Sequence, residues 1–340
     1  MKIKEHISLA PFTTLGVGGT ARFFIEAHHE GDMYEAMAFA QERNLPVFIL
    51  GGGSNVLVPD AGVEGVVLKM GTQDIDIKDN DESAAIVAGA GICWDDIVDA
   101  AGKRGVFGIE NLAGIPGSLG GAAVQNIGAY GAELSSVFEY ADTIQIVTGK
   151  RMRISRTDAA FAYRTSFFKK HPEVLIARVA LQLSKNARPN ISYPDVARVH
   201  AAGTPLSTPI EIARTIRTIR AKKFPHARGE GTAGSFFKNP IISQELATSL
   251  RKRFQGLPAF PQEDGTVKIP LAWLLDHVLH LKGYAIGPVR LYEEQPLVIV
   301  ARAGATAHDV DVLARDVAEN VLRAIGISIE REVETFGTRT

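Results

Sequence analysis

The N-terminal part of the chain alternates short apolar runs with a stretch of helical periodicity. Apolar runs at 22–25 and 46–50 predict strands, and the second is continuous, as is typical of parallel strands. Between them, residues 32–43 carry apolar side chains at helical spacing, namely Met33, Ala36, Met37 and Ala40. A further run at 66–68 predicts a third strand. The pattern indicates a small α/β unit with a glycine-rich loop after the strand 46–50.

The rest of the chain mixes strands and helices less regularly. A helix beginning at Pro209 is marked by Thr208 as cap and Glu211 as the closing residue of a capping box, and it should end before Pro225. Thr306 and Asp309 mark the start of another helix in the same way. The apolar spacing predicts further strands at 85–88, 143–147, 174–183, 296–301 and 327–333, and helices at 94–103, 243–253, 270–279 and 307–325.

The number and clustering of the glycines indicate that the protein binds a ligand. The chain has 33 glycines in 340 residues, and they cluster at 16–19, 51–53 and 105–131. Glycine accepts positive φ angles and allows the backbone to approach another group closely. The clusters therefore predict a large ligand that is held by main-chain groups.

Charge and cysteine content exclude several classes of function. The 37 basic and 38 acidic residues give a net charge of −1, which offers no general attraction to nucleic acid or to an anionic membrane. A single cysteine, Cys93, and scattered histidines supply no metal-binding motif, so no metal site is predicted. No signal-peptide run and no apolar stretch of about 18 residues is present. We expect a cytoplasmic protein.

One familiar motif is imitated without its context, and another is absent. The run 16–21 resembles the dinucleotide fingerprint G-x-G-x-x-A, but no strand precedes it and a strand follows it. No serine lies in a G-x-S-x-G elbow, the motif that marks a hydrolase of that type. Neither a Rossmann fold nor an α/β-hydrolase is predicted.

Three segments carry chemistry of their own. The loop Gly51-Gly52-Gly53-Ser54-Asn55 can present backbone N–H groups to a phosphate, although it could also be a simple tight turn. The run 108–131 is too apolar for a solvated loop and too rich in glycine for the interior of a helix or strand. It is therefore expected to be irregular, and it fits either a flat cofactor or an elaborate structural loop. In the run 234–240, Ser235 could be a nucleophile, a proton donor or a cap.

Taken together and in order, these segments resemble one family, the UDP-N-acetylenolpyruvoylglucosamine reductases, which are also called UDP-N-acetylmuramate dehydrogenases. The matching runs are 14–19, 50–57, 108–131, Tyr163-Arg164-x-Ser166, 234–240 and Glu330-x-Glu332-Val333. The tyrosine in the run 191–195, Tyr193, is similar to the loop tyrosine of the family's type I branch. The runs span nearly the whole chain.

The resemblance implies an α+β fold with a two-part FAD-binding domain like that of vanillyl-alcohol oxidase, followed by a C-terminal α+β substrate-binding domain. The implied boundaries are 1–70 and 71–225 for the two FAD-binding parts, with 327–340 returning to them. The substrate-binding domain would be 226–326.

The resemblance also implies noncovalent FAD and NADPH as the reductant. The residues implied to hold FAD are Gly51, Gly52, Gly53, Ser54, Asn55, Ile115, Pro116, Gly117, Ser118, Gly120, Asn126, Gly128 and Ala129. A UDP-sugar would be the substrate, and the residues implied to contact it are Tyr193, Arg220, Lys223, Lys238, Asn239 and Gln295. The protein is expected to be a monomer.

The family's chemistry implies catalytic roles for three residues. Hydride from the reduced flavin goes to C3 of an enolpyruvyl ether, and Ser235 matches the donor of the proton to C2. Arg164 and Glu332 match the pair that polarises the substrate carboxylate, because charge develops beside it in the reaction. Two other functions remain open at this point: an FAD-dependent oxidase, and a flavin- or sugar-nucleotide-binding protein without catalysis.

Two positions depart from the family's pattern. Thr13 stands where asparagine is common, and Glu334 stands where a basic residue is common. In a strand, Glu334 would share a face with Glu332. We therefore expect any consequence to fall on substrate affinity and not on the type of reaction.

Overall fold

The computed structural model describes residues 1–225 and 229–338. Its strands, numbered in chain order, are β1 Ile3–Ser8, β2 Thr20–Ala27, β3 Val47–Leu50, β4 Val56–Leu57, β5 Val63–Met70, β6 Ile75–Asp79, β7 Ser83–Gly89, β8 Gly128–Ala129, β9 Ala132–Glu133, β10 Phe138–Gln145, β11 Arg151–Ser155, β12 Val174–Ser184, β13 Glu230–Gly231, β14 Ile241–Ile242, β15 Phe260–Pro261, β16 Val267–Lys268, β17 Ala285–Ile286, β18 Val289–Leu291, β19 Ile299–Arg302 and β20 Glu334–Thr335.

The helices are α1 Glu30–Glu42, α2 Trp94–Lys103, α3 Leu119–Gln125, α4 Phe167–Lys170, α5 Pro194–Ala201, α6 Pro209–Lys223, α7 Gln244–Arg253, α8 Leu271–Trp273 and α9 Ala307–Ile325. A turn of π-helix, Leu274–Val278, continues α8. Helix and strand therefore mix in the way that the expected α+β class requires.

The chain divides into two compact units. Unit 1 comprises Met1–Ile7, Ala21–Gly53 and Val63–Ala221, and unit 2 comprises Ser8–Thr20, Ser54–Gly62 and Lys222–Thr340. Two of the five positions predicted for the glycine loop, Ser54 and Asn55, thus belong to unit 2. The expected three-part division stays a prediction, and residues 226–228 at its predicted domain boundary lie outside the described residues.

Unit 1 contains two sheets and its own apolar core. The first sheet has the order β1-β2-β5-β3, and β5 pairs in parallel with both β2 and β3. The second has the order β11-β10-β12-β7-β6 with antiparallel pairing throughout. Side chains from both sheets and from α1, α2 and α6 form one buried cluster, which includes Leu68, Ile86 and Trp94. The parallel pairing predicted for the apolar run 46–50 is confirmed.

Unit 2 is built around α9. Its sheets have the orders β13-β19-β18-β17, β14-β16-β15 and β20-β4. Helix α9 buries Val310, Leu313 and Val317 in the core of this unit, where Leu15 and Leu57 from the two N-terminal stretches are also buried. Three separate stretches of chain therefore share one apolar core.

The predicted strand 327–333 is wrong. Ile327 and Val333 are buried, so the alternating apolar pattern correctly reported side-chain burial. Within the described residues, however, the main chain there makes only one bridge, between Arg331 and Phe237. The segment facing it runs into Pro240, which has no N–H to continue a ladder. Strand structure resumes only at Glu334, where β20 pairs in parallel with β4.

The interpretation of 108–131 as irregular throughout is also wrong. Residues Leu119–Gln125 form α3 although the helix contains Gly120 and Gly121. The side chain of Ser118 caps this helix by accepting a hydrogen bond from the Gly121 N–H at 3.3 Å. Burial of Leu119, Ala122 and Ala123 supplies the stabilisation that glycine propensity withholds.

Candidate active site

The first two glycines of the glycine loop lie against a second glycine-containing segment of unit 1. A Cβ atom at Gly52 would collide with the Cα of Gly117, and one at Gly51 would lie 2.5 Å from the Oγ of Ser118. A side chain at Gly52 would require the two backbones to separate, whereas one at Gly51 would require the side chain of Ser118 to move. The structure thus brings together Gly51 and Gly52 with Gly117 and Ser118, which the sequence placed in two separate cofactor-binding segments.

A buried cation lies beneath this contact. Lys69, near the end of β5, donates a hydrogen bond of 2.6 Å from its Nζ to the carbonyl oxygen of Gly51. Burial is the main influence on the lysine and lowers its pKa, while the neighbouring Glu26 acts in the opposite direction. The sequence analysis did not select Lys69, but its position in the otherwise apolar run 66–70 was a signal that could have found it.

The other predicted cofactor contacts of unit 1 differ in what their side chains do. Ile115 is half-buried and Pro116 is exposed, while Gly120 packs its backbone against Ala90. Gly128 and Ala129 form β8, which pairs with β9 across a two-residue turn.

Asn126 is buried and uses its side chain within unit 1. Its Nδ2 donates to Glu133 and to the carbonyl oxygen of Ala162, and its Oδ1 accepts from the N–H of Ser135 at 3.0 Å. Its contact with a cofactor stays a prediction.

Arg164 occupies a strained turn in unit 1. Ala162 and Thr165 exchange two backbone hydrogen bonds of 3.1 Å, and between them Arg164 adopts a φ of 55°. A left-handed conformation is uncommon for a residue with a side chain and costs free energy that the surroundings must supply. The Nη2 of Arg164 donates to the carbonyl oxygen of Gly128 at 2.7 Å.

A lysine that the sequence analysis did not select supports this turn. The Nζ of Lys169 donates to the carbonyl oxygen of Arg164 at 3.2 Å and to the Oε1 of Gln125 at 2.7 Å. Lys169 belongs to no recognised sequence motif. Its position three residues after Tyr163-Arg164-x-Ser166 is the one signal in the sequence that points to it. The backbone of Arg164 is therefore held from one side and its guanidinium group from the other.

Ser235 and Glu332 lie on two segments of unit 2 that are hydrogen bonded to each other. The N–H of Glu332 donates to the carbonyl oxygen of Phe236 at 2.8 Å, and Phe236 directly follows Ser235. Phe236 and Phe237 are both buried and pack edge to face, with ring centres 5.4 Å apart. Ser235 itself bridges to Val298. The two rings thus anchor the segment that carries Ser235, and Glu332 is hydrogen bonded to that segment.

The predicted substrate contacts of unit 2 have protein partners. Lys238 forms an ion pair of 2.9 Å with Glu330, whose side chain is largely exposed. The Oδ1 of Asn239 accepts from the N–H of Leu271 at the start of α8. The main-chain carbonyl oxygen of Gln295 accepts a hydrogen bond of 2.9 Å from the N–H of Val298. Lys223 lies at the end of α6 and is half-buried.

Tyr193 and Arg220 belong to unit 1. Tyr193 precedes α5, is 39% exposed, and packs edge to face against Tyr130 with ring centres 5.1 Å apart. The Nε of Arg220 donates to the carbonyl oxygen of Gly114 at 3.0 Å. Burial is the main influence on this guanidinium group and lowers its pKa from the usual value. Arg220 is thus a partly desolvated cation suited to an anionic ligand.

The described residues contain neither a metal-ligand cluster nor a membrane-spanning helix. Among residues 1–225 and 229–338, no group of three or more His, Cys, Asp or Glu side chains is arranged to hold a metal ion. In the same part of the chain, no helix is both long enough and apolar enough to cross a membrane.

Comparisons with known proteins agree with each other across the chain. The family model described as an FAD binding domain matches residues 21–155. The model described as the C-terminal domain of UDP-N-acetylenolpyruvoylglucosamine reductase matches residues 225–336.

Full-length relatives carry the same name as the second model. The chain is 40% identical to the UDP-N-acetylenolpyruvoylglucosamine reductase of Pseudomonas aeruginosa over 339 residues, 99% of each protein. It is 36% identical to that of Escherichia coli over 332 residues, which cover 97% of this chain and 96% of the other. The crystal structure of the reductase from Thermus caldophilus matches with a TM-score of 0.70 at 26% identity, covering 99% of both chains.

Proposed function

Because the chain belongs to the UDP-N-acetylenolpyruvoylglucosamine reductase family, we propose that it reduces UDP-N-acetyl-3-O-(1-carboxyvinyl)-glucosamine to UDP-N-acetylmuramate with NADPH. The enzyme is an FAD-dependent oxidoreductase of peptidoglycan precursor synthesis. The observation that carries the proposal is the match of residues 225–336 to the family's C-terminal domain, since these residues include Ser235 and Glu332.

The residues of unit 1 fit a bound dinucleotide. Gly51 and Gly52 lie against Gly117 and Ser118 of the second proposed cofactor-binding segment, and the Nζ of Lys69 donates a hydrogen bond to the carbonyl oxygen of Gly51. Backbone N–H groups and a nearby cation are suited to a pyrophosphate. Ser54, Asn55, Ile115, Pro116, Gly117, Ser118, Gly120, Asn126, Gly128 and Ala129 complete the proposed set for noncovalent FAD. When bound, FAD supplies the transfer of hydride from NADPH to C3 of the substrate.

The chain's own residues supply the rest of the reaction. Addition of hydride at C3 leaves an electron pair at C2, conjugated with the substrate carboxylate, so a proton must be delivered to C2. Ser235 gives that proton from its Oγ. Arg164 and Glu332 bind and polarise the carboxylate, which stabilises the charge that develops on it. The strained turn at Arg164 and the buried rings after Ser235 hold these groups in advance of the reaction.

Recognition of the UDP-sugar falls to polar and cationic residues. The proposed contacts are Tyr193, Arg220, Lys223, Lys238, Asn239 and Gln295. Tyr193 is exposed enough to cover a bound ligand, and Arg220 is a partly desolvated cation that favours a diphosphate. We also propose a cytoplasmic monomer that serves cell shape and division by supplying peptidoglycan precursor.

An anaerobic spectroscopic titration tests the function. The purified protein, reconstituted with FAD, is mixed with NADPH and then with the enolpyruvyl UDP-sugar. The flavin absorption band should bleach with NADPH and return when the UDP-sugar is added. Return with oxygen alone, together with indifference to the UDP-sugar, would identify an oxidase instead. Failure to bind FAD at all would overturn the assignment of the glycine loop.

A further inference from the structure

The main chain of Glu332 is held from two directions within unit 2. Its N–H donates to the carbonyl oxygen of Phe236 at 2.8 Å. Its carbonyl oxygen accepts a hydrogen bond of 3.1 Å from the Nδ2 of Asn55. A carbonyl oxygen can only accept, so the amide nitrogen of Asn55 must face it. One bond therefore ties Glu332 to the segment of Ser235, and the other ties it to the glycine loop.

Asn55 is itself fixed with respect to Glu332. Its carbonyl oxygen accepts from the N–H of Glu334 at 3.1 Å, so its side chain and its main chain together bracket Val333. Beyond this point β4 and β20 pair in parallel, with Glu334 opposite Val56. The N–H of Phe336 continues the pairing by donating to the carbonyl oxygen of Leu57. This pairing fixes the main chain of Asn55, which directly precedes β4, relative to the main chain of Glu332.

The stretch that carries Asn55 is also anchored at its far end. The carboxylate of Asp60 accepts hydrogen bonds from the N–H groups of Ala307 and His308, at 2.8 and 2.9 Å, at the start of α9. Together with the capping box of Thr306 and Asp309, this fixes Ser54–Gly62 to the longest helix of unit 2. The position of Asn55 is therefore set by the fold of the unit and does not depend on a ligand.

We propose that Asn55 is a positioning residue for Glu332: its side-chain amide orients the main chain from which the catalytic carboxylate extends. This inference rests on the proposed function, because it assumes that Glu332 acts on the substrate. It adds a second task to the cofactor contact that the sequence predicts for Asn55. Loss of the amide donor should disturb the transfer to substrate more than the reduction of the flavin.

A double-mutant cycle separates this role from general stabilisation. The rate at which the enolpyruvyl UDP-sugar reoxidises the reduced enzyme is measured by stopped flow for the wild type, Asn55→Leu, Glu332→Gln and the double variant. Asn55→Leu keeps the approximate size of the side chain, loses the donor and adds no charge. We expect it to slow reoxidation about 10-fold alone and to add less than about 2-fold to Glu332→Gln, because residues that act as a unit are not additive.

Two further measurements accompany the cycle. Because Asn55 also belongs to the proposed FAD site, the Kd for FAD and the rate of flavin reduction by NADPH are measured for Asn55→Leu beside reoxidation, and reoxidation should change the most of the three. Ser243→Ala, which removes the cap of α7 in the same unit, serves as the control for loss of stability and should reoxidise at the wild-type rate.

The outcomes are distinct. Additive effects in the cycle, or equal slowing by Ser243→Ala, would overturn the positioning role of Asn55. A Kd for FAD that rises as much as reoxidation slows would assign the effect of Asn55 to the cofactor site alone. If the wild-type enzyme is not reoxidised by the UDP-sugar, the proposed function fails instead.

Discussion

The Nη2 of Arg164 donates a hydrogen bond to the carbonyl oxygen of Gly128, and the same glycine has no room for a side chain. A Cβ atom at Gly128 would lie 3.0 Å from the Nη1 of Arg164 and 2.9 Å from the Cγ of Glu133. The absence of a side chain at Gly128 is thus what allows the guanidinium group to reach the backbone. This relationship makes Gly128 a sensitive probe of Arg164.

Gly128→Ala should displace Arg164 by a few tenths of an ångström or more. Because carboxylate polarisation depends on the placement of the cation, we expect reoxidation of the reduced enzyme by substrate to slow about 10- to 100-fold. Stopped-flow measurement of the two half-reactions checks this. Gly102→Ala, in α2, is the matched control, because its Cβ would meet only ordinary contacts at 3.7 Å. Equal rates in Gly128→Ala and the control would show that Arg164 tolerates the shift.

Ser235→Ala should separate the two half-reactions. Reduction by NADPH needs no proton at C2, so it should stay within about 2-fold of the wild type, whereas reoxidation by substrate should slow by at least about 100-fold. Ser243→Ala is a control in the same unit, because that hydroxyl caps α7. If reoxidation survives in Ser235→Ala, another group delivers the proton.

Lys69→Met should weaken the binding of FAD. The substitution removes a charge near the glycine loop and leaves the carbonyl oxygen of Gly51 without its 2.6 Å partner. Hydrogen bonds to charged groups contribute about 1.5–3 kcal/mol, and because this one holds the loop and not the ligand, only part of that free energy falls on binding, so we expect the Kd to rise about 3- to 10-fold. Fluorescence titration of apoprotein with FAD measures the change. Lys78→Met, on the exposed surface of β6, should leave the Kd unaltered, and a similar rise there would assign the effect to net charge.

The stability of the protein should fall in acid partly through the cap of α9. Hydrogen bonds from the hydroxyl and the N–H of Thr306 hold the pKa of Asp309 below its usual value of 3.8. The carboxylate therefore contributes stability above pH 3.8, and this contribution is lost as the pH falls through the lower pKa of the folded state. Urea unfolding of the wild type and Asp309→Asn should differ most at pH 5–6 and converge only as the pH falls below 3.8. A constant difference across this range would contradict the assignment.

The agreement between sequence and structure depends on how local the determining interactions are. Helices α2 and α9 begin and end where the apolar spacing predicts, because the periodicity lies within each segment and, in α9, the capping box does too. Helix α3 was missed because buried packing outweighs the low helix propensity of Gly120 and Gly121. The strand predicted at 327–333 failed because burial of Ile327 and Val333 says nothing about a hydrogen-bonding partner.

The site follows the same division. The motif residues Arg164, Ser235 and Glu332 could be selected from the sequence because a family resemblance marks them. Lys69 and the amide of Asn55 act through carbonyl oxygens that lie 18 and 277 residues away along the chain. Every residue has a backbone carbonyl oxygen, so the sequence does not show which one accepts a given hydrogen bond. Such contacts can be found only in the folded chain.

The three separate stretches of unit 2 also bear on how the protein is made. Leu15, Val17 and Leu57 leave the ribosome early, but the helix and sheets that bury them follow residue 222. During synthesis these side chains stay exposed until the segments after residue 222 have emerged, whereas the segments of unit 1 are complete at residue 221. A fragment that begins at Lys222 would lack part of its own core, so the C-terminal region of this enzyme is not an independent folding module.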